Sequence, residues 1–71
     1  KCEIVIMEAS LFPFWGAHEP VFDEIVTEMS SYGFKVYDLL DGLNRPYDKA
    51  LGQVDIAFAK EHGFLRKSNK W

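Results

Sequence analysis

The chain begins with an unbroken apolar run, Ile4-Val5-Ile6-Met7, held between Glu3 and Glu8. A half-exposed strand alternates apolar and polar residues. A continuous run of mostly β-branched residues is the pattern of a strand covered on both faces, as in parallel α/β sheets. The pattern predicts a first strand over about Cys2 to Glu8, central and fully buried. A central strand needs cover on both sides, so the sequence reads as though it starts in the middle of a fold. A long loop, Ala9 to Glu19, follows. Val21, Phe22, Ile25, Val26, Met29 and Tyr32 then recur at helical spacing and define one apolar stripe. Pro20 suits the first helical position, where its missing N–H is not needed. Glu19, Asp23 and Glu24 place negative charge at the positive end of the helix dipole. Gly33 is suited to end the helix in the left-handed conformation.

Two more strands are expected after the helix. Phe34 to Leu40 alternates imperfectly. Val54 to Ala59 puts Val54, Ile56 and Phe58 on one face and Asp55, Ala57 and Ala59 on the other. The fold class expected is therefore α/β: a small three-stranded mixed sheet with one main helix, in the order β-α-β-β. The strand–helix–strand unit is parallel and right-handed, and the last strand returns antiparallel. Ligands of open α/β sheets bind beyond the carboxyl ends of the parallel strands. Two loops fall there, Ala9–Glu19 and Asp41–Gln53, and both are rich in aromatic and polar side chains.

Composition sharpens this picture. A chain of 71 residues is one small domain at most. Domains of that size bury only about 60% of their unfolded surface and usually need a staple. Cys2 is the single cysteine, so no internal disulfide can form, and it reads as a free thiol of a cytoplasmic protein. His18 and His62 make no metal-ligand spacing with it. Yet 48% of the residues are hydrophobic and 15% aromatic. That is more apolar surface than so short a chain easily hides, and it points to a missing partner: an N-terminal half, or a second copy in a homodimer.

Charge and hydropathy exclude other classes. The longest apolar run is four residues, far short of the roughly 20 that span a bilayer, and no signal-peptide pattern follows Lys1. Residues 1–59 carry four basic against ten acidic residues, a net of −6. Such a body repels phosphate, so no nucleic acid is expected as a partner. Residues 60–71 form a basic tail of net +3. The tail either docks on an acidic surface or is a solvated terminus.

The order of motifs then becomes informative. Ile4-Val-Ile-Met-Glu8-Ala-Ser10, an aromatic loop, a helix ending Ser31-Tyr-Gly-Phe-Lys-Val-Tyr-Asp38, and Gly52-Gln-Val-Asp-Ile-Ala-Phe58 together resemble the C-terminal part of FkbM-family methyltransferases. The resemblance covers nearly the whole chain. It implies a Rossmann-like class I methyltransferase fold with S-adenosylmethionine as the methyl donor. This chain would supply strands five, six and seven, with strand seven antiparallel and inserted between five and six. The five glycines form no Gly-x-Gly cluster, and the acidic motif that the family carries upstream is missing. The resemblance thus implies the substrate-side half of a transferase, O-directed in its parent family. No cofactor is expected to bind this chain alone, and it would not catalyse by itself.

Candidate site residues follow from the two loops and the strand that feeds the first. Phe12, Phe14 and Trp15 either line an acceptor pocket or cap the open edge of the core. His18 is a general base by its near-neutral pKa, or a solvent-exposed loop histidine. Glu8 faces the site from a buried strand end, or accepts hydrogen bonds from loop N–H groups. Arg45, with Asn44 before it and Tyr47 beyond Pro46, holds an anionic group or forms a surface ion pair with Asp41 or Asp48. Ser10 lies at the mouth of the first loop but lacks the Gly-x-Ser-x-Gly context of a nucleophile. A stand-alone binding module that self-associates through its sheet and aromatic loop is the alternative reading. A small hydrolase or metal enzyme has no supporting ligand cluster, nucleophile motif or carboxylate pair.

Overall fold

The computed structural model describes residues 3–16 and 18–71; Lys1 and the predicted thiol at Cys2 lie outside them. β1 (Ile4–Ser10), α1 (Phe22–Ser31), β2 (Phe34–Asn44) and β3 (Leu51–Lys60) follow in that order, and a short 3-10 turn, Phe64–Arg66, comes last. The strands form one sheet in the order β1-β3-β2, and β3 is antiparallel to both neighbours. The molecule is a small α/β domain with three strands and one helix, as expected. The sheet is not mixed. β1 and β2 do run in the same direction, but the strand inserted between them returns against each, so every pairing is antiparallel.

The register shows why the core sits on one face. Val5 lies opposite Phe58, Met7 opposite Ile56, and Ala9 opposite Val54. Successive side chains of a strand point to opposite faces, so these six share one side. Ile25 of α1 is buried with them, and Phe22, Val26 and Met29 pack against the same cluster, together with Phe34 and Val36 of β2. The helical stripe and the alternation of β3 are thus used as the sequence predicts.

β1 departs from expectation. It is an edge strand, and β3 is the central one. Ile4 lies opposite Ala59 and Ile6 opposite Ala57, on the face away from the core, and they are 41% and 59% exposed. The apolar run therefore has one covered face, not two. The strand also starts at Ile4 and extends to Ser10, two residues past Glu8.

The ends of α1 shift slightly. Val21 is the N-cap, so Pro20 precedes the helix instead of opening it. Glu24 Oε1 accepts the Val21 N–H at 2.9 Å and satisfies one of the donors that a helix start leaves free. Tyr32 is the C-cap and is exposed, so it does not belong to the buried stripe. Gly33 takes φ +87°, the left-handed stop that its position predicts.

β2 runs four residues beyond Leu40, and the expected loop from Asp41 to Gln53 shrinks to a six-residue turn, 45–50. The reason lies in irregular pairing. Val36 and Asp38 face successive β3 residues, Phe58 and Ala57, which leaves Tyr37 as an extra residue. Asp41 and Gly42 together span the gap between Leu40 and Leu43, with Asp41 at φ +49°. Asp tolerates that region better than most residues. Each bulge resets the period of two, which hides the strand from a search for alternation. At the far end of the sheet, Lys60 N–H donates to Glu3 O and Glu61 N–H to Gly33 O. Lys60, expected to open the tail, is the last residue of β3.

Candidate functional site

β1 and β2 both end at the edge of the sheet where β3 begins, and the two connecting loops meet there. Leu11 N–H donates to Gly52 O at 2.8 Å, which ties the start of the first loop to β3. The β2–β3 turn is closed by Arg45 N–H to Ala50 O at 2.8 Å and Lys49 N–H to Arg45 O at 3.0 Å. Asn44 Nδ2 donates to Lys49 O at 2.8 Å, and Lys49 takes φ +68°. The turn is thereby fixed by its own backbone and one side-chain amide.

Arg45 joins the two loops. Its guanidinium carbon lies 4.0 Å from the centre of the Phe12 ring and 5.3 Å from that of Tyr47. A planar cation over an aromatic face is attracted by the ring quadrupole. Its edge is occupied at the same time: Nε and Nη2 donate to the two Asp48 carboxylate oxygens at 2.7 and 2.8 Å. Asp48 Oδ1 also accepts the Ala50 N–H at 3.0 Å. The hydrogen bonds from Arg45, and then that from Ala50, hold the Asp48 carboxyl well below the usual carboxylate range. Asp48 in turn pushes the guanidinium of Arg45 up. Of the two roles considered for Arg45, the ion pair is the one formed, with Asp48 and not Asp41.

Beside this clamp lies a hollow of about 170 Å³. Phe14, Leu43, Pro46 and Gly52 form its apolar walls, and Asn44, Arg45 and Gln53 complete its lining. Phe14 is held by Phe12, their rings 5.5 Å apart and tilted by 52°. Gly52 makes the space. It is the unpaired residue where the register shifts between Leu43↔Gln53 and Asn44↔Leu51. A Cβ there would lie 3.5 Å from both Phe14 Cζ and Arg45 Cβ and 3.4 Å from Leu43 O.

Five of the predicted site residues are therefore brought together: Phe12, Phe14, Asn44, Arg45 and Tyr47. Ser10 is buried close by, opposite Gln53. The others are elsewhere. Glu8 does not end a buried strand; it is exposed, opposite Asp55 on the face away from the core. Trp15 is exposed, and its backbone N–H donates to Glu19 Oε1. His18 is exposed and does not line the hollow. Leu43, Pro46, Gly52 and Gln53 were not predicted, since nothing in the alternation marks a bulge at Gly52. Among the described residues, no group of three His, Cys, Asp or Glu could hold a metal ion, and no helix is long and apolar enough to cross a membrane. Arg45–Asp48 is the one ion pair among them, so no cation of the basic tail pairs with the acidic body there.

No family model, curated protein or solved structure matches the chain.

Proposed function

We propose that this chain is the substrate-side C-terminal segment of an S-adenosylmethionine-dependent methyltransferase of the FkbM type, inactive without its cofactor-binding half. The observation that supports the reading is the strand order. A late strand, antiparallel to both neighbours, is inserted between two strands that run the same way and are joined by a helix. The motif resemblance requires that arrangement of strands five, seven and six. In such a fold β3 takes one edge of β1, and strands one to four would continue from the other edge. β1 would then become central, which accounts for its unbroken apolar run. The chain's exposed surface fits the same reading. It totals 5521 Å², against about 4,500 Å² for a self-contained folded chain of this mass. The radius of gyration is 13.6 Å, against about 11 Å for a compact domain of this length.

A chimera tests the proposal. Joining this chain to the four-strand cofactor half of an FkbM-family enzyme should give one cooperative melt and S-adenosylmethionine binding by calorimetry, while the chain alone gives no heat. A chimera that melts in two independent steps, or cofactor binding by the chain alone, would sink the reading.

The exposure of Ile4, Ile6 and Leu43 also favours a second reading, a self-associating module that covers its own sheet. Sedimentation at micromolar concentration separates the two, because a persistent monomer rejects self-association.

A further inference from the structure

We propose that the hollow beside Gly52 binds one neutral, hydroxylated aromatic ring: a ligand of the phenol class. As a methyl-acceptor subsite this rests on the transferase reading; as a binding site it stands without it.

Size comes first. An apolar cavity of about 150 Å³ is enough to take up benzene, and this hollow offers about 170 Å³. It has room for a single six-membered ring. The walls then choose the kind of ring. Phe14, Leu43 and Pro46 present apolar surface, and the missing side chain of Gly52 leaves the floor open. The tilted contact with Phe12 holds Phe14 as a fixed wall, and the self-bonded 45–50 turn fixes Pro46 on the other side. Ligand pockets of this build take an apolar body and orient it by a few polar groups.

The lining itself is almost wholly apolar, and the uncharged polar residues that border it are Asn44 and Gln53. The bond from Asn44 Nδ2 to Lys49 O leaves Oδ1 to accept an O–H. The Gln53 amide makes no side-chain hydrogen bond among the described residues and is free to donate or accept. Two amides match one hydroxyl. A sugar carries hydroxyls around its whole rim, and several would lie unpaired against Leu43 and Pro46, each at a desolvation cost. A carboxylate is disfavoured too, because Asp48 already neutralises the Arg45 charge and takes its Nε–Nη2 edge. The position agrees with the chemistry, since the hollow lies at the carboxyl end of β2 and is walled by the loop that follows β1, and open α/β sheets hold ligands at that end of like-directed strands.

The test is a titration of the isotopically labelled chain with p-cresol, followed by nuclear magnetic resonance. An eight-atom ligand of ordinary efficiency gives a Kd on the order of 1 mM. The expected result is saturable shifts centred on the Gly52 amide and the Asn44 and Gln53 side-chain amides. Methyl glucoside should bind at least about tenfold more weakly, the loss that follows from leaving one hydroxyl unpaired. Gly52→Val fills the floor and should abolish saturation. Pro46→Ala, a change in an exposed turn, should weaken binding several-fold with the sheet intact, so the result does not depend on the Gly52 variant folding. Shifts that do not saturate, that centre on Ile4 and Ile6, or that persist unchanged in both variants would overturn the proposal. So would glucoside binding as tight as that of p-cresol. Because the readout needs no methyl donor, its failure is distinct from failure of the chimera.

Discussion

Arg45 makes three contacts with one side chain: a cation over Phe12, a second aromatic neighbour in Tyr47, and a two-pronged bond to Asp48. Only a planar, permanently charged fork can do all three, and a lysine cannot. The pair is exposed and open to salt screening, so its contribution is small. Its pH dependence is nonetheless predictable in sign. The Arg45 hydrogen bonds, with that of Ala50 second, depress the folded-state pKa of Asp48. The stabilisation is therefore fully present above the unfolded carboxylate value of about 3.9 and fades as pH falls below it. Asp48→Asn should melt below the parent chain at neutral pH. The gap between their melting temperatures should close as pH falls below about 4, and a gap unchanged down to strongly acid solution would contradict the assignment. The sequence allowed this pairing without requiring it, since Asp41 was an equally acceptable partner until the turn geometry set the distance.

At the scale of elements, legibility depended on how regular each element is. α1 could be read from its stripe because Phe22, Ile25, Val26 and Met29 meet the core at helical spacing. β3 could be read because Val54, Ile56 and Phe58 alternate and are all buried. β2 was half hidden, since Tyr37 and the Asp41–Gly42 pair each break the alternation. β1 misled for a different reason. An apolar run reports what a strand can bury, not what this chain has available to bury it. The hollow was partly legible: its aromatic and polar rim comes from loops with unusual composition, while its floor depends on a bulge that no periodicity announces. Gly33 offers a clean check on one readable signal. Its φ of +87° is costly for a side chain, and a Cβ there would meet nothing within 4 Å. Gly33→Ala should therefore cost about 1 kcal/mol from the backbone alone, and Gly33→Asn less. Urea unfolding of both variants measures it, and equal losses would mean that the left-handed conformation is not the cause.

At the scale of the whole molecule, one face of the sheet holds the domain together and the other does not. Ile6 is the most exposed apolar residue of β1, at 59%. Ile6→Thr keeps the β-branched shape and should shift the free energy of unfolding by no more than about 0.5 kcal/mol. Solubility should rise, and binding of a hydrophobic dye should fall. A large loss of stability in urea would mean that this face is already covered.

The two margins of the sheet also differ in what they invite. β2 is kinked at Tyr37 and again at Asp41–Gly42, and such irregularity blunts a margin against strand addition. β1 pairs with β3 residue for residue from Ile4 to Ser10 without interruption, so its outer side offers a straight row of donors and acceptors. Growth of this sheet has one direction open. Two copies joined along β1 would make a six-stranded ribbon with a kinked strand at each end, and no third copy would find a straight margin to extend. Association by this route stops at a pair, where a chain with two straight margins would go on to fibres.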